Sequence, residues 1–375
     1  MPDHMGRRRR QSKLPVARLL VLAVALVAIA RLVTLSEPGR SPQPPASSEL
    51  AVVPSWSGPT PGRLSGNLAD GVSFIPRYYL NPTTAVGVAA SVDGAHLRLM
   101  LRSGSRATEL RRLSVNDHPQ LDGFAASGNT LVWAESVAVG NQAVRTTIWR
   151  TNWRSTTRPV VVTSNTGEAN FFGSQHDLLL RSGRVYWAAV GSGAASTEVR
   201  SVALAGGQVS VQRFPGEYAL SAWPWLVRPG GRGRPVELVN LSTKKRITVP
   251  TSASEVATCS PQWCRMGILS GSQVIRFDLQ QPDGSHRRRI AGSEATPTIV
   301  DVALLDRFVP LATDRGGDTP DRIGVGLSLY DIASGQTDLV AADVANVQGR
   351  DAMLWWSTGS GDALNWYAID LRELS

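Results

Sequence analysis

The chain has 375 residues, 42% hydrophobic and 18% charged, with 35 glycines, 23 prolines and two cysteines. That composition excludes a disordered chain and a small disulfide scaffold. The formal charge of +9 is uneven: residues 1–63 carry nine basic and three acidic side chains, and the remainder 30 basic against 27 acidic. So balanced a body lacks the phosphate-neutralising stripe on which nucleic-acid affinity rests, and nucleic acid is excluded as a partner.

In chain order, residues 1–13 form a basic tail with Arg7, Arg8, Arg9, Arg10 and Lys13. Residues 14–35, LPVARLLVLAVALVAIARLVTL, come next. At about 1.5 Å per residue this run spans roughly 33 Å, enough for a transmembrane helix. Arg18 and Arg31 lie near its ends, where their stems reach the headgroups. The basic cluster before the run predicts a cytoplasmic N-terminus and an exported body: a single-pass cell-membrane protein in contact with the cytoplasmic membrane through 14–35. A cleaved signal peptide ending at Ala28-Ile29-Ala30 is the alternative. Residues 36–63 hold seven Pro and six Ser and read as a flexible spacer. Export also suits Cys259 and Cys264, which an oxidising compartment can join across Ser260-Pro261.

From residue 64 to 375 no helical period is sustained. Short runs of Val, Ile, Leu, Trp and Tyr break every 8 to 12 residues at Gly, Asn, Asp, Ser or Pro, as in an all-β fold. One segment recurs at 108–113, 148–153, 199–204, 236–241, 274–279, 327–332 and 366–371. Its marks are Arg112, Asn152, Ala203, Asn240, Asp278, Asp331 and Asp370. The steps are 40, 51, 37, 38, 53 and 39 residues, the length of a four-stranded propeller blade. An Asp or Asn there accepts from backbone donors two residues on and starts the hairpin to the fourth strand. A second strand precedes each mark, at 96–101, 131–134, 185–189, 225–227, 264–269, 308–312 and 353–357. The expected fold is a β-propeller of seven blades, six being the next count, with a β-sandwich as the alternative architecture. The final repeat stops after its third strand, while 71–80, GVSFIPRYYL, belongs to no repeat. Pairing of 71–80 with 366–371 is therefore expected to close the ring and cover an exposed edge.

On the segments YDIASGQTDLV, FDLQQPDG and WYAIDLREL, with the anchor and spacer, residues 71–375 resemble the bacterial TolB-like and WD-repeat-like β-propeller superfamily. The resemblance extends to the membrane-anchored extracytoplasmic propellers of high-GC Gram-positive bacteria. It implies the fold. The chain departs from better-marked families in having no Gly-His…Trp-Asp pair and in carrying Ala203 where Asp is usual.

Chemistry is sparsely marked. No G-x-S-x-G, S-x-x-K, H-E-x-x-H or P-loop pattern occurs, and no motif calls for a cofactor or a metal. His96 lies in a strand, His118 and the pair His176-Asp177 in connections between blades, and His286 at a hairpin. Two glycine-rich clusters flanked by charge stand out. RPGGRGRP at 228–235 supplies Arg228, Arg232 and Arg234 and resembles an anion-accepting loop. DRGGDTPDR at 314–322 supplies Asp314, Asp318 and Asp321, three carboxylates that resemble a weak oxygen cage for calcium, although a calcium loop usually alternates its ligands more tightly. Both are expected to be second-to-third-strand connections on one rim, where partners dock. The sequence thus points to a non-enzymatic binding or scaffold module whose partner is an envelope protein or cell-wall component. The alternative is an extracytoplasmic hydrolase or lyase with its site at the central channel mouth.

Overall fold

The computed structural model describes residues 56–375 except 141–142, 156, 194, 315–324 and 375. The expected anchor at 14–35 lies outside the described residues. Among those described, no helix is long and apolar enough to cross a membrane.

The chain is a succession of antiparallel sheets. Strand β1 (Gly62–Ser65) pairs with none of its neighbours in sequence. The first sheet is β2 (Ile75–Asn81), β3 (Thr84–Ala90), β4 (His96–Ser103) and β5 (Arg106–Ser114). The second is β6 (Gln120–Ser127), β7 (Thr130–Val139), β8 (Ala143–Asn152) and β9 (Val160–Thr163). In the third, β10 (Glu168–Ala169) and β11 (Leu178–Arg181) both pair with β12 (Arg184–Val190), which is followed by β13 (Ser196–Ala203) and β14 (Ser210–Pro215). The fourth is β15 (Ala219–Leu220), β16 (Trp225–Arg228), β17 (Val236–Asn240) and β18 (Arg246–Val249). The fifth is β19 (Glu255–Cys259), β20 (Cys264–Ser270), β21 (Gln273–Gln280) and β22 (Arg288–Ala291). Then come β23 (Ala295–Pro297), β24 (Phe308–Asp314), β25 (Val325–Asp331), β26 (Thr337–Arg350), β27 (Met353–Thr358) and β28 (Asn365–Asp370). These last six join one sheet because the 14-residue β26 pairs with β25 through its first half and with β27 through its second.

Apolar clusters lie between successive sheets. Leu131 and Trp133 of β7 pack toward the first sheet, whereas Val132 packs with Leu178 and Trp187 of the third. Leu179, flanked by Leu178 and Leu180, turns the other way to meet Leu226 and Val239. Successive side chains on a strand point to opposite faces, so a strand covered on both faces needs an unbroken apolar run. Full burial of Trp133 and Trp187 removes about 200 Å² each from water, of the order of 5 kcal/mol apiece. The clusters return to their start: Leu64, Trp355, Trp366 and Ala368 pack with Tyr79, Ala85 and Met100 of the first sheet.

Ring closure by an N-terminal strand is present, but not with the expected segment. β1 pairs with β28, Gly62 opposite Ala368 and Ser65 opposite Asn365. The segment 71–80 instead supplies β2, the opening strand of the first sheet. The physical reason is that the first sheet has no mark. Its third strand, β4, ends in Arg102-Ser103 and turns through Gly104 at φ +56°, a conformation that needs glycine rather than an Asx cap. The segment 108–113 therefore falls in the fourth strand of that sheet and 96–101 in its third, one strand later than the repeat implies, so 71–80 is the opening strand of a full repeat. The other six repeats fall on third strands as expected.

The folded head also takes in the end of the expected spacer. Trp56 packs beside Leu371 and Trp356, and its Nε1 donates to Pro59 O at 3.0 Å.

The capping logic holds at four marks. Asn152, Asn240, Asp331 and Asp370 each accept from a backbone N–H two residues on. Asp278 does not. It binds Arg276 and Arg287, and Asp283 caps its turn instead.

Candidate functional site

Antiparallel succession places first-to-second and third-to-fourth turns on one rim, and second-to-third turns with the connections between sheets on the other. Arg228 ends β16, and Arg232 and Arg234 lie in the second-to-third connection of the fourth sheet. Arg228 is committed to Glu237 at 2.5 Å. Arg232 and Arg234 are exposed, and their side chains bond to no described residue. The loop is a compact hairpin, with Gly231 and Arg234 exchanging backbone bonds and Thr251 Oγ1 donating to the carbonyls of both. Gly233 N–H donates to Ser252 O. The N–H groups of Gly231, Gly233 and Arg234 are thus engaged within the protein. Asp314 is the last residue of β24, while Asp318 and Asp321 lie outside the described residues. Cys259 and Cys264 form a disulfide across the β19–β20 turn. Among the described residues no cluster of His, Cys, Asp or Glu has the geometry to hold a metal ion.

A polar assembly in the middle of the ring was not anticipated. The inner edge of the third sheet is interrupted between β10 and β11, and the excursion 170–177 (NFFGSQHD) leaves it. Phe172 N–H and Gly173 N–H both donate to Asp177 Oδ2, at 2.9 and 2.7 Å, which folds the excursion back on itself. Ser174 Oγ then donates to Asp301 Oδ1 at 2.6 Å, and Gln175 N–H to Asp301 Oδ2 at 2.8 Å. Gln175 Oε1 accepts from Asp351 N–H at 3.0 Å. These bonds cross the ring, because Asp301 lies between β23 and β24 and Asp351 between β26 and β27. Arg350 reaches Phe124 O at 3.1 Å, and Tyr78 donates its hydroxyl to Asp351 Oδ2 at 2.7 Å.

The connection 298–307 is latched from the other side by Arg265, which donates to Asp301 O at 2.7 Å and Ile299 O at 3.0 Å. Burial lowers the Arg265 pKa to about 10, so it stays cationic at neutral pH. Burial pushes the Asp177 carboxyl up to about 7, opposed by its two backbone donors and by Arg350. Burial pulls His176 below its usual value, with Asp301, Asp351 and Asp306 acting in the opposite sense. The His176 imidazole bonds to no described residue.

A cleft of about 360 Å³ opens between the first and second sheets, walled by Val88, Leu97, Pro119 and Leu121 and carrying Arg77 and Asp122. Burial raises the Asp122 pKa, while Arg77 and Arg350 oppose it.

Of these groups, sequence reading singled out only His176-Asp177, as a connection. Two cues were visible: the glycine in LDGFAA at 121–126, which marks a bulge inside a strand, and the polar break NFFGSQHD inside an apolar edge.

No protein-family profile matches the chain, and no curated protein is similar to it in sequence. Solved structures with a similar fold include a TolB from Agrobacterium tumefaciens, described as putative. It is 11% identical, with 71% of this chain and 94% of that one covered and a TM-score of 0.39. The β-propeller domain of the Trilobed protease from Pyrococcus furiosus is 10% identical, with 67% and 83% covered and a TM-score of 0.44. A prolyl endopeptidase is 13% identical with a TM-score of 0.49, and there 80% of this chain matches 48% of the other, so this chain spans about half that enzyme's length.

Proposed function

We propose that this chain is a membrane-anchored, extracytoplasmic propeller of seven blades that binds an envelope protein or cell-wall component without catalysing a reaction on it. Seven blades result if the long β26 serves two of them, each half completing a four-stranded unit. The observation that carries the non-enzymatic reading is the engagement of the central carboxylates. Asp177, Asp301 and Asp351 all accept hydrogen bonds that hold the crossing excursions. Acids and bases so employed hold the excursions together instead of facing a reactant. Binding then falls to the rim carrying the 229–235 connection, with Arg232 and Arg234 exposed on it.

A hydrolase or lyase is the second reading, and one observation favours it: the imidazole of His176 bonds to no described residue and lies among Asp301, Asp306 and Asp351.

The test places a photo-crosslinking residue at Arg232 on that rim and, separately, at Thr243 on the opposite rim, in the full chain in its native envelope. Discrete adducts from Arg232 and none from Thr243 are expected, unchanged by His176→Ala. An activity on envelope peptides or glycans that His176→Ala abolishes would overturn the proposal.

A further inference from the structure

The cleft between the first two sheets has a construction that the rim surface does not share. Its two charged residues sit at β-bulges in neighbouring opening strands. In β2 the register with β3 jumps from Pro76–Gly87 to Tyr78–Val86, so Arg77 is the extra residue. In β6 it jumps from Asp122–Ala134 to Phe124–Trp133 across Gly123, whose φ is +55°. The second bulge breaks the alternation: Leu121 and Phe124, three residues apart, pack in the same cluster toward the first sheet. Bulges re-aim side chains, and here two of them bring a guanidinium and a carboxylate to one cleft.

Arg77 and Arg350 act on Asp122 electrostatically, but through no direct contact. Arg77 is exposed and Asp122 half-buried, and neither makes an ion pair or hydrogen bond with a described residue. By contrast, Asp177, Asp301 and Asp351 of the central assembly all have hydrogen-bond partners. A half-buried carboxylate without hydrogen bonds is costly unless something supplies them. The remaining wall is Val88, Leu97, Pro119 and Leu121, apolar apart from Gln120 between the last two. A cavity of this size with an apolar floor and two opposed charges matches a small molecule rather than a protein surface.

We propose that this cleft binds a small zwitterion with an apolar side chain, an α-amino acid or dipeptide, its ammonium on Asp122, its carboxylate on Arg77 and its side chain against Val88, Leu97 and Leu121. The two charges act together. A ligand with both ends satisfies both side chains, and one lacking either end leaves a partly desolvated charge unpaired. The assignment goes beyond the rim-binding reading and survives its failure.

The experiment is a ligand-observed NMR titration of the full chain in lipid nanodiscs. L-leucine and L-alanyl-L-leucine are compared with 4-methylpentanoate, which lacks the ammonium, and isopentylamine, which lacks the carboxylate. One of the zwitterions should bind saturably, with Kd of about 1 mM or tighter for a ligand this small, and which one does so fixes the spacing of the two ends. Both truncated analogues should bind at least about tenfold more weakly, the loss of one charged hydrogen-bonding partner. Arg77→Met should remove the preference for the binding zwitterion over isopentylamine, and Asp122→Asn its preference over 4-methylpentanoate. Absence of saturable zwitterion binding to the wild-type chain would overturn the proposal, as would equal binding of the truncated analogues. The analogue series needs no variant, so a poorly folding substitution leaves the answer intact.

Discussion

Replacing Leu64 with alanine tests how the two ends of the fold are joined. Leu64 is 2% exposed and packs with Trp355, Trp366 and Tyr79, while β1 pairs only with β28. Leu→Ala removes about three buried carbon groups, roughly 2.5 kcal/mol of transfer free energy. A cavity term adds to this where rigid neighbours cannot collapse, and two indoles and a phenol cannot, so the expected cost is about 3 kcal/mol. At roughly 2 °C per kcal/mol for a domain this large, Tm should fall by about 6 °C. The control is Ile75→Ala, in the segment expected from sequence to close the ring. Ile75 is 44% exposed, and a change of under about 0.5 kcal/mol is expected. Urea unfolding of the full chain followed by tryptophan fluorescence reads both variants. Equal midpoints for the two, or a larger shift for Ile75→Ala, would refute closure by β1.

The central assembly sets further outcomes. Asp177 has a folded pKa of about 7 against about 3.9 unfolded. The folded state therefore binds more protons between pH 4 and 7, and this residue makes stability fall as pH rises through that window and stay level above it. Asp177→Asn should gain stability relative to wild type between pH 5 and 7.5, and an unchanged difference in urea midpoints would contradict the burial argument. Arg265→Met leaves the carbonyls of Ile299 and Asp301 without donors in a buried setting and should cost about 3 kcal/mol, with faster amide hydrogen exchange confined to 298–307. Gly123→Ala asks a side chain to adopt φ +55° and to sit 3.2 Å from Leu178 Cβ. A loss of about 1 to 2 kcal/mol by thermal unfolding is expected, and an unchanged midpoint would argue against the bulge.

The sequence by itself determined the all-β class, the repeat and the strand pairing inside most repeats, because these depend on local chemistry. Alternation and unbroken apolar runs such as LLL at 178–180 come from burial on both faces, and Asn240 or Asp331 start their hairpins through bonds two residues away. Where that local mark was replaced by Ser103-Gly104, the assignment slid by one strand and the closing segment was misplaced. Only the tertiary structure decided the middle of the ring. Phe124, Gln175, Asp301 and Asp351 lie 50 to 230 residues apart, and no spacing rule links them. They meet because closing the ring turns the inner edges of distant sheets toward one another, and the excursion 170–177 is free to cross only where its own sheet leaves that edge unpaired. The same holds for Arg77 and Asp122, which are ordinary strand charges in sequence. Two bulges and the packing of neighbouring sheets make them face one cleft.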